Sequence, residues 1–170
     1  TTQNSDLNNN VVLSLAEREG KIWIGTDGGG INILEPKTGK FTLLEHIPGS
    51  DNYSLPANSI LCLYNDRNNN MWAGSIRNGL ISIREVSMKT YTDVLPGNDH
   101  GLSNNTVLSL YQESSNRIWI GTDGGGINLF NPITEKFTHY PSTWQNKVAS
   151  ICPFTSGNLL LSIFSQGVFV

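Results

Sequence analysis

Positive charge is scarce in this chain. Eleven Lys and Arg stand against fourteen Asp and Glu, giving a net charge of -3 and a pI near 5.5. With no basic excess to neutralise a phosphate backbone, nucleic acid is not an expected partner. Cysteine is equally sparse. Cys62 and Cys152 are the only two, their separation matches no metal-binding spacing, and they are expected as small buried thiols with no bond between them. The three histidines, His46, His100 and His139, are spaced by 54 and 39 residues, which fits no local metal site. No metal and no cofactor is therefore expected. No apolar run reaches the roughly 18 residues of a membrane-spanning helix, so direct membrane insertion by this segment is not expected either. The first ten residues are polar and carry no signal-peptide core. The chain also begins without Met, which points to a processed chain or an excised piece.

What the sequence does have is turns and short apolar runs. Hydrophobic residues make up 38% and aromatics 9%, a composition that folds rather than staying disordered. Seventeen of the 170 residues are Gly, above the usual share of about 7%. The runs repeat. Residues 23–33 read WIGTDGGGINI and residues 119–129 read WIGTDGGGINL. Residues 72–83, WAGSIRNGLISI, follow the same frame and read as one residue longer in the turn. Residues 160–170, LLSIFSQGVFV, are a decayed fourth copy. Anchored on Gly25, Gly74, Gly121 and Ser162, the copies are spaced by 49, 47 and 41 residues.

Each copy has a short apolar run upstream: Val12 to Leu15, Ile60 to Leu63, Val107 to Leu110 and Val148 to Ile151. The first three have another downstream, at Phe41 to Glu45, Thr90 to Val94 and Phe137 to Tyr140. Every unit thus holds up to four segments, called a, b, c and d, rich in strand formers and bounded by turn residues. None has the length of an ordinary helix. Four antiparallel strands in about 45 residues is the pattern of a propeller blade. The expected fold is all-β: a single partial β-propeller of about three and a half to four blades, at residues 11–45, 59–94, 106–140 and 147–170. The last blade lacks its outer strand. The a segments are apolar on both faces, as a sheet sandwiched between two others requires.

Strands in a meander alternate direction. The b–c hairpins and the d–a loops therefore emerge on one face, and the a–b and c–d turns on the other. The first face collects residues 27–30, 75–78, 123–126 and 164–166, with the longer loops at 47–57, 95–105 and 141–146. Long loops on a rigid scaffold are where binding usually sits.

The frame WIGTDGGGINI, with LSNNTVLSL upstream and FNPITEKFTHY downstream, resembles the two-component regulator propeller repeat. Nearly the whole chain takes part, most clearly its first and third copies. The resemblance implies a periplasmic sensor propeller, non-enzymatic, responding to glycan fragments and coupled through a membrane helix to a histidine kinase. Propellers of that family have about seven blades, so the resemblance also implies further blades in a parent sensor and an isolated fragment that self-associates through its open blade faces. The alternative function is a structural or protein-interaction propeller, such as a secretion accessory protein. A glycan-cleaving enzyme would need two facing carboxylates, and no constellation in the sequence calls for one.

Candidate ligand contacts lie on the loop face. Asp27 and Asp123 open Gly-rich hairpins flanked by strands, which reads first as turn chemistry and second as acceptors for sugar hydroxyls. Arg77 and Asn78 stand where the first and third copies have Gly, and read either as solvated surface or as donors to a polar or acidic ligand. Trp144 falls outside the repeat frame, as loop packing or as a stacking platform for a sugar ring, and Tyr53 has a weaker claim of the same kind. Trp23, Trp72 and Trp119 share one register and are expected between blades.

Overall fold

The computed structural model describes residues 7–48, 54–84, 87–94, 98–143 and 145–170. These form four antiparallel sheets in chain order. The first contains β1 (Val12–Arg18), β2 (Lys21–Thr26), β3 (Ile31–Glu35) and β4 (Lys40–Leu44). The second contains β5 (Ile60–Asn65), β6 (Met71–Ser75), β7 (Leu80–Arg84) and β8 (Ser87–Tyr91). The third contains β9 (Val107–Ser114), β10 (Arg117–Thr122), β11 (Ile127–Asn131) and β12 (Lys136–His139). The fourth has β13 (Val148–Pro153), β14 (Leu159–Ile163) and β15 (Gly167–Phe169). Each sheet is an uninterrupted meander, so the all-β propeller expectation holds.

The sheets stack face to face through their first strands: β1 packs on β5, β5 on β9, and β9 on β13. Each sheet therefore has a leading face toward the sheet before it and a trailing face toward the sheet after it. Strand alternation divides the side chains between them. On the leading side, Ile60 and Leu63 of sheet two enter a cluster with Trp23 and Ile31 from the trailing side of sheet one. Val107, Ile118 and Ile120 of sheet three meet Trp72 and Leu80 of sheet two. Val148 and Ile151 of sheet four meet Ile127 and Trp119 of sheet three. Trp23, Trp72 and Trp119 thus lie between sheets. The second interface adds an aromatic group: Trp72 stands edge-on to Phe130 with centroids 5.5 Å apart, and Phe130 stacks on Phe137 at 4.5 Å.

The small register of strand b explains how close the inner strands come. Gly25, Gly74 and Gly121 face Ile60, Val107 and Val148 of the next sheet, leaving no room for a side chain. The residues opposite them on strand a, Ser14, Cys62 and Ser109, are also small. The Cys62 thiol is held in this interface, and burial pushes its pKa up to about 12. Cys152 corrects the expectation of two buried thiols, because it is exposed. Its register equivalents Ala16, Tyr64 and Tyr111 pack toward a following sheet, and the trailing side of sheet four has no such cover among the described residues.

The second b–c hairpin also departs from its sequence reading. The Ser75 N–H donates to Gly79 O as the Thr26 N–H donates to Gly30 O, and both bonds span four residues. The turns are equal in length. Ser82, buried and polar, is the true counterpart of Ile33, and that exchange made the frame look one residue longer.

Two unforeseen leucines complete the interfaces. Leu55 and Leu102 lie five residues before Ile60 and Val107 and are fully buried in the first and second clusters. Both were assigned to loops from the sequence. The signal was the spacing itself, since Leu7 precedes Val12 by the same five residues.

The last glycine of each b–c hairpin is a fixed point. Gly30, Gly79 and Gly126 have φ of +69°, +75° and +70°, and a Cβ there would strike the carbonyl of Leu44, Tyr91 or Thr143. Gly39 has a similar φ of +70° but open space around it. Urea denaturation should therefore show Gly30→Ala and Gly126→Ala losing more than about 2 kcal/mol, against about 1 kcal/mol for Gly39→Ala. Thiol labelling of the dilute native chain should modify Cys152 well before Cys62.

Candidate ligand face

The loop face is built from a repeated latch. The N–H of Asp27, Ile76, Asp123 and Phe164 donates to the carbonyl of Val11, Ser59, Thr106 and Lys147 in its own sheet. The hairpin then reaches across to the next sheet. Gly28 and Gly30 donate to Asn58 O, Gly79 donates to Asn105 O, and Gly124 and Gly126 donate to Asn146 O. This brings the b–c hairpins and the d–a loops together on one face.

Asp27 and Asp123 belong to this latch. Asp27 Oδ1 accepts the Ser59 hydroxyl at 2.7 Å, and Asp123 Oδ2 accepts the Lys147 ammonium at 3.0 Å. In both cases the carboxylate ties a hairpin to the first-strand approach of the next sheet. Both ends of the Asp123 pair are about 40% exposed, so the bond contributes only about 0.5 kcal/mol. Further out, Asn8 and Ser103 pair with Asn32 and Asn128. Asn32 Nδ2 donates to Asn8 Oδ1 at 2.8 Å, and Asn128 Nδ2 donates to Ser103 Oγ at 2.8 Å. Two histidines hold loops in place: His46 Nδ1 lies 2.8 Å from Leu55 O, and His139 Nε2 lies 2.8 Å from Gly101 O. Among the described residues, no three His, Cys, Asp or Glu side chains gather as a metal site would need.

Arg77 has a different standing. Its φ is +66°. The other residues in its register are Gly28 and Gly124, at +91° and +92°, and Ser165 at +59°. A left-handed backbone costs a side-chain-bearing residue about 1 kcal/mol or more. Arg77 is exposed, so no packing on a buried surface offsets that cost. Asn78 beside it is half-buried. Asp27, Arg77 with Asn78, and Asp123 therefore occupy matching hairpins on three successive sheets. Trp144 and Tyr53 lie outside the described residues.

The opposite face carries a second latch that the sequence reading missed. Asp66, buried in the β5–β6 turn, accepts the N–H groups of Asn68 and Asn70 and the Trp72 indole N–H, the last at 2.9 Å. In sheet three, Glu113 Oε2 takes the Trp119 indole at 2.8 Å and Arg117 Nε at 2.8 Å. Arg117, and then Trp119, hold the Glu113 carboxyl below the usual carboxylate range. Sheet one has Arg18 in that position, and its guanidinium carbon lies 5.8 Å from the Trp23 ring centre. A carboxylate six residues before a Trp was the available signal.

The comparisons with known proteins bear on these repeats. The two component regulator propeller model matches residues 6–28, 54–77 and 101–124. Each match runs from just before the loop leucine, through strands a and b, into the b–c hairpin. In these three stretches the chain matches the two-component regulator propeller repeat. In fold, it superposes on the extracellular domain of a hybrid two-component system from B. thetaiotaomicron with a TM-score of 0.78, at 19% identity, covering 98% of this chain and 21% of that one. It is similar to a computationally designed protein, Ika4, with a TM-score of 0.67 at 13% identity, covering 98% of this chain and 97% of that one. It is also similar to PorZ, a surface component of the type-IX secretion system of Porphyromonas gingivalis, with a TM-score of 0.66 at 13% identity, covering 99% of this chain and 28% of that one. The chain spans about a fifth of the length of the two-component structure it matches. No curated protein matches the sequence.

Two outcomes follow from the latches. Asp66→Ala should cost about 2–4 kcal/mol in denaturant unfolding, since it strands the Trp72 indole and two turn amides in the interior. The stability contributed by Glu113 is present above the usual carboxylate pKa. It is lost as pH falls through the lowered folded value, because the unfolded chain takes up the proton first. Replacing Glu113 with Gln should flatten that acid limb of a stability–pH titration.

Proposed function

We propose that this chain is a non-enzymatic, ligand-reading propeller segment of the extracytoplasmic, periplasmic sensor region of a hybrid two-component system. Its ligand is an oligosaccharide met on the loop face. The family of its repeats and the fold of the B. thetaiotaomicron extracellular domain support the placement. The observation that carries the ligand reading is Arg77. A long cation held at a left-handed position, where sheets one and three use Gly and sheet four the small Ser165, costs folding energy with no packing return, and such strain collects at functional sites. Asn78 adds an amide donor and acceptor beside it, and Trp144 would supply a flat apolar face to a sugar ring. Asp27 and Asp123 act first as hairpin latches and only through their outer oxygens as acceptors.

A structural or protein-interaction role is the second reading. It is favoured by the engagement of both loop-face aspartates within the protein and by the fold similarity to PorZ.

Calorimetry against neutral and uronic-acid oligosaccharides separates the two. On the sensor reading, an acidic oligosaccharide binds, and Arg77→Gly weakens it by about tenfold or more through loss of a charge-assisted hydrogen bond. The same substitution raises folding stability by up to about 1 kcal/mol. Absence of binding across the panel at millimolar concentration leaves the protein-interaction reading in place.

A further inference from the structure

Sheet one keeps the donors of the indole latch but not the carboxylate that receives them. In sheet three, Glu113 Oε2 accepts both the Trp119 indole N–H and the Arg117 Nε–H, each at 2.8 Å. In sheet two, Asp66 Oδ2 accepts the Trp72 indole N–H at 2.9 Å. The register fixes where that carboxylate stands. Trp72 pairs with Tyr64 and Trp119 with Tyr111, and the acceptor follows two residues after each tyrosine. Trp23 pairs with Ala16, so the same place in sheet one belongs to Arg18. A guanidinium only donates and cannot receive an indole N–H.

Two buried donors are left over. Trp23 is 7% exposed, and among the described residues its indole N–H has no acceptor. The buried Arg18 Nε–H has none either. A buried Trp N–H usually finds a partner, and an unpaired buried donor lowers stability. Two carboxylates of the chain at this turn are engaged elsewhere. Glu17 Oε1 accepts the Gly20 N–H at 2.7 Å, and Glu19 Oε1 accepts the Asn69 side-chain amide. The cation nevertheless keeps its place over the ring. Arg18 Cζ lies 5.8 Å from the Trp23 ring centre, as Arg117 Cζ lies 5.5 Å from that of Trp119. Trp23 packs with Ile60 and Leu63 of sheet two, so the donors belong to an internal interface.

We propose that Trp23 and Arg18 bind the carboxylate of a small organic acid, in the place that the Glu113 carboxylate holds in sheet three. One carboxylate oxygen receives the Trp23 indole N–H and the Arg18 Nε–H. The second faces an outer N–H of the guanidinium, a fork that matches a carboxylate edge. Arg18 is half-buried, and rotation of its long side chain admits the acid from the turn face. This face is opposite the loop face, and the site does not rest on the Arg77 reading.

The indole N–H signals in the magnetic resonance spectrum of the isotope-labelled chain test this. Sodium acetate and sodium glucuronate are each titrated against sodium chloride at constant ionic strength. The expected result is a saturable shift of the Trp23 indole signal, assigned with Trp23→Phe, while the Trp72 and Trp119 signals stay in place. Arg18→Gln should weaken that response at least about tenfold, through loss of the charge-assisted bond. Arg18→Glu supplies the sister carboxylate from the chain itself. It should move the Trp23 signal without added acid and abolish the response to acid. A stronger response to glucuronate assigns the carboxylate of a uronic acid, and an equal or weaker one a simple free acid. No saturable shift with either acid up to about 100 mM overturns the proposal. So does an equal shift with chloride, or a response that Arg18→Gln or Arg18→Glu leaves intact.

Discussion

Burial on both faces of every sheet is the constraint on which this structure depends. A four-stranded meander with apolar residues on both sides cannot face water on either. It must lie between two neighbours, and the three internal interfaces do this with the same registers each time. Val, Ile or Leu from one leading face enters against Trp and Ile or Leu of the preceding trailing face. The glycine register of strand b sets the distance of approach. Nearly everything else, including the loop leucines, the hairpin latch and the indole latch, serves to hold one sheet in register with the next.

The latches explain why the conspicuous Gly-Gly-Gly turn is structural. Its amides point at an asparagine carbonyl of the following sheet, and its last glycine lies against a carbonyl of its own fourth strand in sheets one and two. The turn is thus part of the interface between sheets as much as a hairpin. On the proposed reading, ligand contact falls to Arg77, a long side chain where sheets one and three have Gly. The same logic applies on the opposite face, where Asp66 and Glu113 seat the indoles of Trp72 and Trp119 while sheet one substitutes Arg18.

Much of the site was readable because repetition turns sequence into geometry. Once four copies are aligned, strand order, the alternation of faces and the grouping of hairpins with d–a loops all follow. The positions of Asp27, Arg77, Asn78 and Asp123 on one face were therefore accessible. The left-handed backbone of Arg77 was nearly so, since Gly28 and Gly124 hold the same position in sheets one and three. The readings that failed were those that repetition does not constrain. Leu55 and Leu102 sit in loops with no strand alternation to mark them as buried. The second hairpin looked longer because Ser82 replaced an expected apolar residue. Cys152 was assigned to the interior by residue type, although its sheet has no neighbour on that side among the described residues.

The sequence by itself determined the repeat, the strand menu and the sidedness of each strand. These depend on local periodicity and turn chemistry, which are written in consecutive residues. Only the tertiary structure decided which carbonyl each hairpin amide would find, which carboxylate would seat each indole, and which apolar faces would remain uncovered. Backbone acceptors carry no side-chain signature, and exposure is a property of what lies opposite, so neither exists until the sheets are stacked.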